Sequence, residues 1–282
     1  MKNEPSAGAT LTRRRFELGN LILPLLRQAG VWGIGLAFWI FLWWGVVAAF
    51  GVSPDFLPTP WQVTDRLVWL TTHSIGEGML WTHAGWSMLR FLSGFLFAAV
   101  FGIPLGLLMG HDRRVAYLVN PLFELFCNVP PIAWAPFSLL WFGASFGSQT
   151  FVIFTAAFPP MLMNAYYGIR MVDQDLINAA RMLGAGPGTI VFRVGLPAAT
   201  PIVAAGLRIG LANGWLALVG AEIIAGPGAL TGLGYLILVG QQNLQATLAV
   251  GAMAMIGVIG ASLDFAIRLL ERVVKPLNWK SR

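Results

Sequence analysis

Six stretches of this chain are long, apolar and almost free of charge: Val31–Phe50, Ala84–Gly110, Tyr117–Phe142, Thr150–Gly168, Ala198–Glu222 and Leu244–Leu263. A bilayer core about 30 Å thick needs roughly 20 consecutive helical residues, because every backbone amide must find its partner inside the segment. The pattern therefore predicts an all-α polytopic membrane protein with six transmembrane helices. The third and fourth spans divide at Gly143–Gln149, where Gly, Ser and Gln cluster. Pro121, Pro130, Pro131 and Pro136 remove backbone donors from the third span and predict a bend or interruption midway. Outside the spans, Trp61–Leu70 has apolar residues at helical spacing and reads as a short helix at the outer interface. The glycine-rich Gly226–Asn243 lies between the last two spans. Its first residues lack the strand-to-helix context of a phosphate cradle, so the segment reads as an outer re-entrant or gate element.

Charge placement sets the expected topology. Lys2, Arg13, Arg14, Arg15 and Arg27 precede span one; Arg113 and Arg114 follow span two; Arg170, Arg181 and Arg193 follow span four. Arg268, Arg272, Lys275, Lys280 and Arg282 end the chain. Only Arg66 falls in the opposite loops, and only Arg90 and Arg208 within spans. Positively charged flanks stay on the cytoplasmic side, so both termini are expected there. The net charge of +6 thus reflects topology, and no nucleic-acid partner is expected. The three arginines near the N-terminus resemble a twin-arginine export signal, but Pro24 and Arg27 cut the apolar run behind them and no small-residue cleavage site follows. The expected organisation is a cytoplasmic tail over 1–30, a six-span domain over 31–275, and a short cytoplasmic tail over 276–282.

Composition narrows the chemistry. With 57% hydrophobic and 11% charged residues and a mean hydropathy of +0.71, the chain lacks the polar surface of a soluble enzyme. The single Cys127 excludes an internal disulfide or a multi-cysteine metal site. His73, His83 and His111 lack ligand spacing and are expected outside the spans, on different sides, so no metal or other cofactor is expected on this chain.

One inner loop is patterned. Asp173 is a helix N-cap, Asp175 sits in the first turn, Arg181 near the last, and Gly184 at the position that favours left-handed backbone. Leu176, Ala179, Ala180 and Leu183 share one face. A helix of about ten residues is marginal alone. It must dock on its own membrane domain or on a partner, and the pattern leaves both open.

Asn178-Ala179-Ala180, then Gly184, then Val194, Leu196 and Pro197 resemble the EAA loop of permease subunits from bacterial binding-protein-dependent ABC importers. The likeness extends to Arg90-Phe91-Leu92-Ser93-Gly94, Asn128-Val129-Pro130-Pro131, Gly206-Leu207-Arg208, Ala221-Glu222 and Gly232-Leu233-Gly234-Tyr235, and covers roughly residues 84–275. Within that superfamily the chain is most similar to the nitrate/sulfonate/taurine group, which also includes importers of thiamine precursors. The resemblance implies a type I ABC importer permease fold in the bacterial inner membrane. It also implies a coupling loop over 169–197, in which Asn178, Ala179, Ala180 and Gly184 engage a cytoplasmic ATPase while Leu196 and Pro197 fix the return to span five. Asp173, Asp175, Leu176 and Leu183 complete that helix. Its implied partners are ATP-binding subunits that carry ATP and Mg, a second permease copy forming a homodimer, and a periplasmic or extracellular solute-binding protein. Two departures matter. Asn178 replaces the Glu of the family name, removing a charge, and Cys127 stands where sulfonate permeases often place Arg, which argues against a specifically anionic cargo.

The chain has no G-x-x-x-x-G-K-[ST] loop, so ATP hydrolysis is expected on another subunit. Ionisable residues at membrane depth mark pathways or internal pairs. At 1.5 Å per residue, Glu124 lies roughly 11 Å and Arg208 roughly 15 Å from their inner span ends, close enough in depth to pair or to meet solute. Arg90 and Glu222 lie nearer the outer face, either at the interface or in an outer gate. Asn128, Pro130 and Trp134 beside the broken third span, and Asn213 and Trp215 on span five, are the other pathway candidates. An ion-gradient-driven secondary transporter is the alternative function, but no inverted repeat of broken spans is evident and the patterned loop would be unused. A membrane enzyme would need a convergent nucleophile, base or metal cluster, which is not evident.

Overall fold

The computed structural model describes residues 30, 33–51, 53–225 and 231–274, with backbone only at 187 and 270–274. The N-terminal tail, the 226–230 part of the gate segment and the C-terminal tail lie outside the described residues. The described chain is helical, without a strand, and its contacts divide it into two units that meet between Gln62 and Val63.

The first unit contains the uncharged helix α1 (Gly33–Phe50). Its aromatic and aliphatic side chains, including Phe38, Trp39 and Phe41, are exposed within the chain, as befits a helix whose solvent is lipid.

The second unit follows from α2 (Pro60–Leu70), which begins in the first, and holds α3 (Leu80–His111), α4 (Arg113–Cys127), α5 (Trp134–Phe142), α6 (Phe146–Arg170), α7 (Gln174–Met182), α8 (Pro187–Thr189), α9 (Leu196–Ala225), α10 (Leu233–Gln242) and α11 (Ala246–Val274). Spans two, four, five and six correspond to α3, α6, α9 and α11. A π-helical turn, Ile190–Gly195, leads into α9 without a break, giving a continuous helical rod over Ile190–Ala225. The fourth span starts earlier than expected. Ser145 and Ser148 form a capping box, so α6 begins inside the segment read as a turn.

The third span is broken. Its two pieces, Arg113–Cys127 and Pro131–Phe142, meet at 79°. Only Pro130 and Pro131 lie at the break. Pro121 is carried inside α4, and Pro136 sits in the first turn of α5.

The centre of the second unit is α6, flanked by α3 and α9. On α3, Gly94, Ala98, Gly102, Gly106 and Gly110 recur every four residues along one face, which meets α6. On α9, Gly206, Gly210 and Gly214 do the same from the other side. Lipid supplies no hydrophobic drive between helices, so small residues that allow close backbone approach provide the attraction. A Cβ at Gly106 would collide with the Leu162 carbonyl oxygen and stand 2.8 Å from the Ala165 Cβ, whereas one at Gly85 meets nothing within 4 Å. Gly106→Ala should therefore destabilise the purified protein by about 1–3 kcal/mol, as overpacking does, while Gly85→Ala should be near neutral; unfolding of both in mixed micelles measures the contrast.

Phe91, Ile153, Leu211, Trp215 and Leu218 form an aromatic-aliphatic cluster among these three helices. A second cluster, with Leu70, Leu80, Leu233, Leu236 and Leu248, fastens α2, α3, α10 and α11. The segment read as a gate thus continues into α10, a short buried helix that turns tightly onto α11, with Gln245 N–H donating to the Gly240 carbonyl at 2.7 Å.

Candidate functional site

The sequence-predicted site residues do not come together in one place. At one end lies α7. Asp173 caps it, its Oδ1 accepting from Asp175 N–H at 2.9 Å. The other end closes with both bonds of a Schellman motif: Ala185 N–H donates to the Ala180 carbonyl at 3.0 Å and Gly184 N–H to the Arg181 carbonyl at 2.9 Å. Gly184 has φ +82, in the region that favours glycine. The helix buries none of its residues fully. Ile177 and Ala180 are half-buried, and α7 packs on the π-helical turn that leads into α9. Leu176, Asn178, Ala179, Met182 and Leu183 stay exposed, Met182 at 84% and Leu183 at 89%. Leu196 and Pro197 are exposed at the start of α9.

A second place is a buried polar cluster at the opposite end of α9. His83, Ser87 and Arg90 share one face of α3, at i, i+4 and i+7. Glu222, on the last turn of α9, accepts from Arg90 Nη1 at 3.0 Å and from Ser87 Oγ at 2.7 Å through Oε1, and from Gly234 N–H at 2.8 Å through Oε2. Arg90 also donates to the Thr231 carbonyl at 2.8 Å and hydroxyl at 3.0 Å. Leu233 N–H donates to Ser87 Oγ, and Gly232 N–H to His83 Nδ1 at 3.0 Å. His83 Nε2 then holds the proton and donates to the Ile75 and Gly78 carbonyls. The side chains of Arg90 and Glu222 are 5% and 1% exposed. The amides that begin α10 thus find acceptors on α3 and α9, with a carboxylate at the positive end of the helix dipole. Gly232, at φ +134, has no room for a Cβ, which would fall 2.6 Å from the Glu222 carboxyl carbon.

Of the two places expected for Arg90 and Glu222, the interface is excluded, because both side chains are buried and bind each other. One expectation about the histidines is corrected. His83 lies within the first turn of α3 and is buried, not outside the spans. The pairing of residues 132 apart leaves no local pattern; similar depth in two spans was the signal available.

The third place corrects the expected Glu124–Arg208 pair. Arg208 Nε donates to Asp264 at 3.0 Å, and Asp264 also accepts from Arg268 one turn further along α11 at 2.7 Å. Asp264 lies one residue past the Leu263 end expected for the sixth span, whose apolar helix runs to Leu269. Glu124 instead lines a cleft of about 580 Å³ between α4 and the Arg170 end of α6, together with Asn128, Cys127 and Arg170. Pro130 marks the break above it.

The remaining candidates separate. Trp134 meets Phe126, Trp141 and Phe151 through its ring. Asn213 is exposed on α9. Trp215 is buried edge-on against Phe91, and its indole N–H donates to the Ile256 carbonyl at 3.2 Å, so its place is in the packing of α3, α9 and α11.

Known proteins share this architecture and sequence. The profile described as the binding-protein-dependent transport system inner membrane component matches residues 102–278. The taurine transport system permease protein TauC of Escherichia coli (strain K12) is 36% identical over 255 residues, 90% of this chain and 91% of that protein. The bicarbonate transport system permease protein CmpB of Synechococcus elongatus is 32% identical over 264 residues, covering 93% and 92%. The putative aliphatic sulfonates transport permease protein SsuC of Bacillus subtilis is 35% identical over 239 residues, covering 84% and 83%. In fold, an inward-facing structure of the MetNI methionine ABC transporter aligns with a TM-score of 0.59 at 21% identity, over 71% of this chain and 99% of its own. The chain therefore belongs to the binding-protein-dependent transport system inner membrane components, as a permease subunit of an ABC importer in which a separate partner hydrolyses ATP.

Proposed function

We propose that two copies of this chain form the translocation path of an importer for a small solute of the nitrate, sulfonate, taurine or thiamine-precursor type, with α7 docked on the ATPase. The observation that carries this reading is the exposed apolar end of α7, Leu176, Met182 and Leu183, on a helix too short to persist unaided. ATP and Mg reside on that ATPase, and this chain binds neither. Cytoplasmic placement of both termini is supported by the distribution of Lys and Arg along the sequence. The cargo range is supported by the names of the taurine, bicarbonate and sulfonate relatives.

The path of force follows from the packing. When the ATPases close on nucleotide, α7 moves with them and carries the π-helical turn it packs on. That turn continues into α9 as one rod, at whose far end Glu222 grips α3 and α10. A push at the inner end therefore reaches the outer cluster through unbroken helix. Among the polar side chains exposed on the spans, Glu124 on α4, Asn128 at its end and Asn213 on α9 line the solute's route between the two copies.

Reconstitution tests the proposal. Proteoliposomes carrying this permease with its cognate ATPase and binding protein should accumulate radiolabelled solute only with ATP inside the cytoplasmic compartment. Accumulation driven by an ion gradient in permease-only vesicles would overturn it.

A further inference from the structure

The cleft between α4 and the end of α6 holds charges of both signs that the structure leaves uncompensated. Glu124 and Arg170 both line it, with Asn120, Cys127, Asn128 and Tyr166. Among the described residues, the ion pairs are Arg90–Glu222, Arg208–Asp264 and Arg268–Asp264, so Glu124 and Arg170 pair neither with each other nor with another described charge. The backbone that carries Glu124 and the side chain of Arg170 are nonetheless held. Asn128 donates its backbone N–H at 3.3 Å and its Nδ2 at 2.8 Å to the Glu124 carbonyl, fixing the end of α4 just before the break. The Arg170 guanidinium donates to the Tyr166 hydroxyl and lies 5.3 Å over that ring, contacts that hold it without neutralising it.

Glu124, an ionisable side chain within a span, is expensive there unless water or solute matches it, and Arg170 stands at the inner end of the neighbouring span. A simple anion would meet attraction at Arg170 and repulsion at Glu124. A solute carrying both an ammonium and an acid group matches both. Cys127, in the same wall, adds no second cation. The cleft, about 580 Å³, is within the size range of small-molecule sites and admits such a solute with water.

We infer that this cleft is a binding site for a small zwitterion, its ammonium on Glu124 and its acid group on Arg170. The inference rests on the reading of α4 as a wall of the solute path.

The test measures equilibrium binding to the purified permease–ATPase complex without binding protein. The probes are radiolabelled taurine and isethionate, in which a hydroxyl replaces the ammonium. Wild type should prefer taurine by tenfold or more. Glu124→Gln should weaken taurine about tenfold and leave isethionate unchanged, while Glu124→Asp, which keeps the charge, retains the preference. Arg170→Gln should weaken both probes. The site assignment is overturned if wild type binds neither probe, if Glu124→Gln weakens both equally, or if it weakens neither. ATP-driven uptake by wild-type proteoliposomes under any of those results would leave the importer reading intact, and its loss would remove that reading instead.

Discussion

Glu222→Ala should destabilise the protein by about 3–5 kcal/mol, the effect of removing one partner from a buried ion pair. The substitution leaves Arg90, 5% exposed, with only Thr231 as acceptor, and orphans the Gly234 amide at the start of α10. Arg90→Met should cost less, because Ser87 and the Gly234 N–H still solvate the Glu222 carboxylate. Unfolding of each variant in mixed detergent micelles measures the order. Equal stability of Glu222→Ala and wild type would show that the cluster does not hold α10. The double variant Arg90→Met/Glu222→Leu should recover part of the loss, since no charge is then buried alone.

The second large effect is on coupling. Gly184→Pro should abolish solute-stimulated ATP hydrolysis in the assembled complex, a fall of tenfold or more, while the protein still inserts into the membrane. Proline is fixed near φ −65° and has no N–H, so it can adopt neither the +82° of Gly184 nor the bond to the Arg181 carbonyl. Without that cap the nine-residue α7 loses its end, and Met182 and Leu183 lose their fixed position. Gly184→Asn, which tolerates left-handed backbone, should keep most of the stimulation. ATPase assays with and without loaded binding protein decide; undiminished stimulation in the proline variant would remove α7 from the mechanism.

What the sequence revealed tracks how local each cause is. The spans are legible because hydropathy is a property of the segment itself, and α7 because Asp173 and Gly184 act within a turn of their own positions. The Arg90–Glu222 pair, and the use of His83 and Ser87 as acceptors for α10, depend on which faces of α3 and α9 meet, and no spacing within either helix encodes that. Asp264 is a charge that follows directly on the uncharged run of the sixth span, so it reads as the end of a helix that in fact continues to Leu269. The π-helical turn at Ile190–Gly195 has no composition that distinguishes it from ordinary helix. The glycines were visible as small residues, but only the fold shows that two such rows grip the same helix from opposite sides.

That double grip limits how the subunit changes shape. A backbone wedged on both flanks slides only if a neighbour is lifted out of register, so α3, α6 and α9 are bound to swing as a single block. Flexing between the two faces of the bilayer then falls to joints outside the block, above all the 79° elbow that follows α4.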